Sequence, residues 1–369
     1  MHDFSAQERE HYQRHVNLPD VGEAGQQRLK QARVLYVGAG GLGCAALPYL
    51  AAAGVGTLGI VDDDCIEVSN LQRQILYAYA SVGQKKTQVA AARLRSLNPH
   101  IQIVTHDTRL SRANVLALFQ QYDWIADGSD NFATRYVVND ACFHLQKPYV
   151  YASIAQFSGQ CSVLAAAPHG ACLRCLFPTP PPPSAYIPNC AEGGVLGVLP
   201  GIIGTIQAME IIKLILGIGK PLVNRLLHLD ALTMQFRELE LMQDATCRLC
   251  HDQQAFASLP DYTQTLCSTQ TDISAAILHT WQQQGKDFML VDIREEQEYR
   301  AGNLGGVWIP LRELSARLSE LNKQQPIVVH CQHGVRSKHA VALLQQHGFA
   351  HVYHLQGGMV AWMSYYASC

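Results

Sequence analysis

Residues Arg33–Asp64, RVLYVGAGGLGCAALPYLAAAGVGTLGIVDDD, decide the fold. An apolar run, RVLYV, meets a glycine turn. An alanine-rich segment follows, and then a second apolar run, TLGIV, that ends in acids. Read as strand, turn, helix and strand, the segment sets Gly38, Gly40 and Gly43 in the pattern G-x-G-x-x-G, with Gly41 as an extra glycine. Such a turn lets backbone N–H groups approach a phosphate at a helix N-terminus. Asp62 ends the second strand about twenty residues on, where an acid holds a ribose hydroxyl. The stretch therefore reads as a nucleotide site, although the glycines alone suit NAD, FAD, SAM or ATP. Pro48 falls inside the helix, where it removes a hydrogen bond and predicts a kink or a local shift.

Outward from this stretch, strand–helix alternation continues to about Tyr151. GQKKTQVAAARLRSLNP (83–99) reads as a helix stopped by Pro99, IQIVT as a strand, and 111–121 as a helix. DWIADGSD is a strand ending in acids, NFATRYVVNDACFHLQ a helix and PYVYASI a strand. Alternation of this kind predicts an α/β fold with a mostly parallel sheet covered on both faces. Residues 1–30 read as helical and partly amphipathic; they precede the first strand and can reach away from their own domain. From about residue 157 the pattern turns antiparallel, with strands in GQCSVLAAA and RLLHLDALTMQFRELEL and a buried helix in GTIQAMEIIKLILG. The proline run between them predicts an exposed, stiff segment. Residues 251–271 are polar and aperiodic and read as a linker. A second, smaller α/β pattern fills 272–369, so the expected domains are 1–250 and 272–369.

A chain of 369 residues suits two domains. Its net charge of −2 and isoelectric point of about 6.7 argue against nucleic acid or an anionic membrane as the main partner. No apolar run approaches the roughly 18 residues of a membrane span, and MHDFSAQEREHYQRH has no secretory h-region. The expectation is a soluble, cytoplasmic protein. Twelve cysteines in a reducing compartment point to metal ligands or nucleophiles rather than disulfides. Cys44, Cys142 and Cys161 lie in apolar stretches and read as core residues.

Four constellations carry chemistry. The first is the polar set beyond Asp62: Ser69, Asn70 and Arg73 in SNLQRQ, Lys86 at the start of a helix, and Asp130 and Asn131 after a strand end. Ligands sit at such strand ends. Two cations, an amide and a carboxylate suit ATP better than NAD, because the cations offset triphosphate charge and Asp130 can hold Mg²⁺. The second is Cys172-x-x-Cys175 with Cys247-x-x-Cys250, a structural Cys₄ zinc pattern. The third is Cys190 in PNCAEGG, an accessible loop thiol with no positive neighbour in the local sequence, equally compatible with a nucleophile and an inert cysteine. The fourth is Cys331 in CQHGVRS, between the apolar strand PIVVH and a helix. A thiolate there faces a helix N-terminus and loop amides. Four residues separate Cys331 from Arg336. Cysteine phosphatases use one more, so the tighter loop suits a single extra sulfur atom and hence persulfide chemistry.

Taken together, these motifs resemble a known family. Residues 1–250 resemble the molybdopterin-synthase adenylyltransferases and thiamine-pathway sulfur-carrier activators, the ThiF/MoeB-like relatives of ubiquitin-activating enzymes. The motifs that carry the resemblance are GAGGLG, SNLQRQ, Lys86, SDN, both C-x-x-C pairs and NCAEGGVLGV. The C-terminal part, with VDIREEQEY, GGVWIPL and CQHGVRS, resembles a rhodanese domain. The two-domain order is similar to the fused adenylyltransferase–sulfurtransferases.

The resemblance implies a Rossmann-like adenylation domain with a zinc site, plus a small rhodanese domain. It implies that Gly41, Asp62, Ser69, Asn70, Leu71, Gln72, Arg73, Lys86, Asp130 and Asn131 bind ATP, with Asp130 on Mg²⁺. Arg14 would be an arginine finger reaching a neighbouring subunit's ATP, which implies a homodimer. Cys172, Cys175, Cys247 and Cys250 would bind zinc, Cys190 would take an acyl or disulfide link, and Cys331 would carry the persulfide. The implied partners are a small ubiquitin-like sulfur carrier ending in Gly-Gly and a sulfur donor such as a cysteine desulfurase or thiosulfate. Activation of a ubiquitin-like protein for conjugation is the alternative. Molybdenum cofactor, thiamine, tRNA thiolation and secondary-metabolite sulfur supply all remain open as pathways.

Overall fold

The computed structural model describes residues 4–165, 170–178, 194–252, 256, 259 and 272–366. Two helices come first, α1 (Ala6–Val16) and α2 (Gly22–Gln31). Ser5 starts α1 with a capping box, its hydroxyl accepting the Glu8 N–H while the Glu8 carboxylate accepts the Ser5 N–H. Tyr12 anchors this segment: it is buried, and its hydroxyl accepts a hydrogen bond from Asn98 Nδ2 at 2.8 Å.

The alternation follows as β1 (Arg33–Val37), α3 (Gly41–Ala53), β2 (Thr57–Val61), α4 (Lys86–Leu97), β3 (Gln102–His106), α5 (Val115–Phe119), β4 (Trp124–Asp127), α6 (Phe132–His144) and β5 (Tyr149–Ala155). These five strands are parallel, in the order β3-β2-β1-β4-β5. The sheet then continues antiparallel through β6 (Ser158–Leu164), β7 (Arg225–Asp230) and β8 (Gln235–Glu240). The pleat sends Val34 and Tyr36 to a core shared with Leu47, Leu50 and Ile211, and Leu35 and Val37 to a second core with Phe119, Tyr122 and Val138. Both faces of the sheet are thus covered, which is why its central strands are apolar throughout.

Several element boundaries differ from expectation. The helix foreseen over 83–99 begins at Lys86, because Gly83 and Gln84 pair instead with the backbone of Ile66. That foreseen over 111–121 contracts to Val115–Phe119. Helix α3 runs through Pro48 without interruption and ends on Gly54, a left-handed cap with φ +84°.

Contrary to expectation, one apolar run does reach membrane-spanning length. After α7 (Leu173–Leu176) comes α8 (Leu199–Leu216), 18 residues with a mean hydropathy of 1.6. It is an interior helix: Leu199, Ile203, Ala208, Ile211 and Leu216 are buried. Its Gln207 donates to the carbonyls of Asp127 at 3.0 Å and Val150 at 2.8 Å, and Glu210 accepts the Leu222 N–H at 2.7 Å. A helix wedged between a sheet and a neighbouring helix is apolar nearly all round for the same reason that a membrane helix is. A short helix, α9 (Arg248–His251), follows β8.

Of the stretch 251–271, His251, Asp252, Phe256 and Leu259 are described, and Phe256 and Leu259 pack on this first unit. Arg112 lies over the Phe256 ring at 4.5 Å and donates to the Leu259 carbonyl at 2.5 Å.

The second compact unit holds a five-stranded parallel sheet. Its elements are β9 (Asp272–Ile273), α10 (Ala275–Gln283), β10 (Met289–Asp292), α11 (Glu296–Arg300), β11 (Val307–Trp308), β12 (Ile327–His330), α12 (Val335–Gln346), β13 (Val352–Leu355) and α13 (Gly358–Tyr366). The strand order is β11-β10-β12-β13-β9. Central β12 is buried at every position, which fixes the place where the chain emerges at Cys331.

Candidate functional sites

A cleft of about 300 Å³ opens where β1, β2, β3 and β4 end. β1 is the strand from which the order runs outward in both directions, and a parallel sheet holds ligands in the crevice at such a point. The glycine turn is dictated sterically. Gly38 has φ +89°, and a Cβ on Gly43 would sit 2.5 Å from the Gly38 carbonyl oxygen. At Gly40 the nearest atom to such a Cβ is Gln74 Nε2 at 3.9 Å, so the wall of the cleft is open there. Asp62 accepts the Ala39 N–H at 2.7 Å and the Asp64 N–H at 2.9 Å, tying the end of β2 to the turn.

Lys86 is a buried cation of the cleft, 5% exposed, with Nζ 2.6 Å from Asp64 Oδ2. Burial opposes its charge, but the carboxylates of Asp62, Asp64 and Asp130 outweigh that and raise its pKa. Burial likewise pushes the Asp62 carboxyl up, against the opposing pull of Lys86. The site therefore holds a charged ammonium in a mostly buried position among carboxylates.

Of the expected nucleotide residues, Gly38, Gly40, Gly41, Asp62, Arg73, Lys86, Asp130 and Asn131 line the cleft. Gly43, Ser69, Asn70, Leu71 and Gln72 do not. Asn70 instead accepts the Glu67 N–H at 3.2 Å, and the Ser69 carbonyl accepts from Arg73 at 3.1 Å, so this loop sets the Arg73 side chain. Arg14 is exposed on α1 and is not among the residues lining its own chain's cleft. Cys190 lies outside the described residues.

The structure adds cleft residues that the sequence reading missed: Asp64, Gln74, Thr108, Arg109, Ser129 and Arg135. Arg135 is buried, donates to the Ser129 carbonyl at 2.9 Å and stacks near Tyr151. Its spacing of four from Asn131, the N-cap of α6, was the available signal, since i and i+4 share a helix face.

Cys172 and Cys247 are the N-caps of α7 and α9, and Cys175 and Cys250 sit one turn on. The Sγ–Sγ distances are 3.6 Å for Cys172–Cys247, 3.5 Å for Cys175–Cys250 and 3.8 Å for Cys172–Cys175. All four sulfurs lie within 4.8 Å of one another. A tetrahedron with Zn–S bonds of ~2.3 Å has edges of ~3.8 Å, so the donor set fits a closed zinc site. α6 holds it from behind. Asp140 forms a bidentate pair with Arg174 at 2.8 and 2.7 Å, and Asn139 accepts the Leu173 N–H at 2.7 Å.

In the second unit Cys331 follows β12 and is 1% exposed. The Gly334 N–H donates to its Sγ at 3.1 Å, and Gly334, with φ +86°, bends the loop into α12. Arg336 is held by Glu298 of α11, with a fork distance of 2.7 Å to Oε2. That guanidinium, outweighing burial, draws the Glu298 carboxyl below the ordinary range. Arg294 braces the loop by donating to Gln332 Oε1 at 3.1 Å while paired with buried Asp292 at 2.7 Å. The arrangement presents one thiol to backbone amides at a helix N-terminus, a cradle that stabilises negative charge on sulfur.

Comparison with known proteins agrees with both units. Residues 12–249 match the model of the ThiF family, and residues 274–365 match the rhodanese-like domain. The chain is 43% identical over 368 residues to a probable adenylyltransferase/sulfurtransferase MoeZ of Mycobacterium tuberculosis, covering 97% of this chain and 94% of that protein. It is 40% identical to an adenylyltransferase and sulfurtransferase MOCS3 of Anopheles gambiae, covering 95% and 86%. A sulfur carrier protein adenylyltransferase of Thermus thermophilus is 48% identical over 263 residues, 70% of this chain and 97% of that one. Among solved structures, E. coli MccB with ATP shares the fold at a TM-score of 0.56 and 22% identity, covering 67% of this chain and 75% of that one.

Proposed function

Since the chain belongs to the ThiF family and carries a rhodanese-like domain, we propose that it activates a sulfur-carrier protein with ATP and then delivers sulfur to it. It is an enzyme with adenylyltransferase and sulfurtransferase activities. The partner is a ubiquitin-like carrier ending in Gly-Gly, and the protein works in the cytoplasm. The observation that carries this reading is one chain holding both a glycine-turn cleft with buried Lys86 and a strand-end thiol, Cys331, cradled by an amide.

The chemistry follows from charge. A carboxylate repels nucleophiles, so its oxygen first attacks the ATP α-phosphorus and pyrophosphate leaves. Lys86 and Arg73 offset the charge that builds on the phosphoryl oxygens. Gly38, Gly40 and Gly41 admit the phosphates, Asp62 takes the ribose, Asn131 adds a polar contact, and Asp130, an exposed carboxylate, would hold Mg²⁺, which would offset triphosphate charge. Arg14 acts on a neighbouring subunit's nucleotide in a homodimer; its exposure on α1 and its absence from the lining of its own cleft support that. The terminal sulfur of a Cys331 persulfide then attacks the acyl carbon and AMP leaves. Attack by Cys190 on the Cys331 sulfur releases the thiocarboxylate and leaves a Cys190–Cys331 disulfide, which a dithiol reductant reopens. A cysteine desulfurase or thiosulfate supplies the sulfur.

With a Gly-Gly-ended carrier, the protein is expected to exchange labelled pyrophosphate into ATP. Absence of exchange with every carrier encoded near its gene would refute the adenylation step. Metal analysis is expected to find about one zinc per chain. Removing it with a strong chelator, or making Cys247→Ser, should lower Tm by ~5 °C or more, because a closed Cys₄ site contributes folding energy.

A further inference from the structure

Behind Cys331 a line of side chains runs through the second unit to its surface. Cys331 Sγ lies 3.7 Å from Ser337 Oγ, Ser337 Oγ lies 3.5 Å from His354 Nδ1, and His354 Nε2 lies 2.8 Å from Asp272 Oδ1. The topology makes the line. Ser337 sits in the first turn of α12, directly after the cradle loop. His354 and Asp272 are register partners on the adjacent strands β13 and β9. Ser337 and His354 are as buried as the thiol itself, and only Asp272 meets solvent. Ser337 and His354 are thus two buried polar side chains joined in line between the thiol and the surface carboxylate.

We propose that Ser337, His354 and Asp272 form a proton relay that removes the Cys331 proton when sulfur is loaded. This rests on the reading of Cys331 as the sulfur-carrying thiol. With Nε2–H donated to Asp272, neutral His354 presents a lone pair at Nδ1. The Ser337 hydroxyl donates at rest to the Gly334 carbonyl at 3.0 Å. Rotation about its C–O bond turns that proton toward His354.

The Cys331 proton then moves to Ser337 Oγ as the Ser337 proton moves to His354 Nδ1. One S–H and one O–H bond break; one O–H and one N–H bond form. The products are a thiolate, an intact hydroxyl and an imidazolium held by the Asp272 carboxylate. The thiolate pair attacks the donor's sulfane sulfur, and the donor's leaving group departs with the old S–S bonding pair. Ser337 is the catalytic residue of the relay, touching the reacting sulfur; His354 and Asp272 are positioning residues that act through it.

Two charged groups face the imidazole ring, Asp272 from β9 and Lys338 from α12; Lys338 Nζ is 3.9 Å from Asp272 Oδ2. Burial holds the His354 pKa below its ordinary value, with Asp272 opposing and Lys338 assisting, so the ring is neutral at pH 7 and able to accept.

The test is the alkylation rate of Cys331 by iodoacetamide in the full-length protein. It is read by peptide mass spectrometry from about pH 5 to about pH 10, with thermal melts to check folding. Ser337→Ala and His354→Asn are expected to slow alkylation about tenfold at pH 7 and to raise the midpoint of the profile by about one unit. Asp272→Asn, at the surface, should slow it about threefold. All rates should converge at high pH, where the thiol ionises unaided; loss of packing alone would expose the buried thiol and raise the rate at every pH. Wild-type profiles in Ser337→Ala and Asp272→Asn would overturn the relay. Failure of the wild-type Cys331 to take sulfur from both thiosulfate and a cysteine desulfurase would instead overturn the assignment of Cys331 itself.

Discussion

Lys86→Ala is expected to lose about 100- to 1,000-fold in ATP–pyrophosphate exchange, the scale seen when one preorganised charge-stabilising donor is removed. Lys86 is suited to that role because it is charged although buried. Burial works against the ammonium, and three carboxylates, Asp62, Asp64 and Asp130, keep the proton on it. A triphosphate entering the cleft meets a cation already fixed at the first turn of α4, with little reorganisation left to do. The loss should appear in the exchange rate with carrier present, and exchange within threefold of wild type would remove Lys86 from the phosphate site.

The same substitution changes the pH response of stability. Burial already raises the Asp62 pKa, and removing Lys86 raises it further. An acid whose folded pKa exceeds its unfolded value destabilises the fold above that pKa, and the penalty fades as pH falls through it. The Tm deficit of Lys86→Ala relative to wild type should therefore shrink as the pH falls from neutral through the raised Asp62 pKa.

Cys331→Ala is expected to leave pyrophosphate exchange within about twofold of wild type while abolishing thiosulfate:cyanide sulfur transfer, a loss of at least about 1,000-fold because the nucleophile itself is gone. The two readouts should separate because the two units have different sheets and different hydrophobic cores. A variant that still transfers sulfur would mean that another of the twelve cysteines carries it.

Local spacing explains what could be read from the chain. The glycine turn, Asp62, Lys86 at a helix start, the paired C-x-x-C motifs and the Cys331–Arg336 loop are short-range patterns whose geometry one turn or one helix end fixes. Arg135, Thr108 and Arg109 reach the cleft only because β3 is brought beside β2 and β4 beside β1, an ordering that no local pattern states. The same holds for Glu298, which comes from α11 to grip Arg336, and for the registered pair His354 and Asp272. The long apolar helix α8 was underestimated because the glycines and Pro200 at its N-terminal end read as loop, whereas Pro200 occupies a first-turn position where its missing N–H costs nothing. Ser69, Asn70, Leu71 and Gln72 belong to the motif but do not line the cleft; Asn70 bonds the Glu67 backbone and Leu71 packs on the core.

The most direct measurement is the mass of the carrier's C-terminal peptide after incubation with the protein, ATP, thiosulfate and a dithiol reductant. The predicted product has one carboxylate oxygen replaced by sulfur, formed only when ATP and an intact Cys331 are both present. A carrier that is adenylated but never gains sulfur, or gains it without ATP, would contradict the assignment of both steps to this one chain.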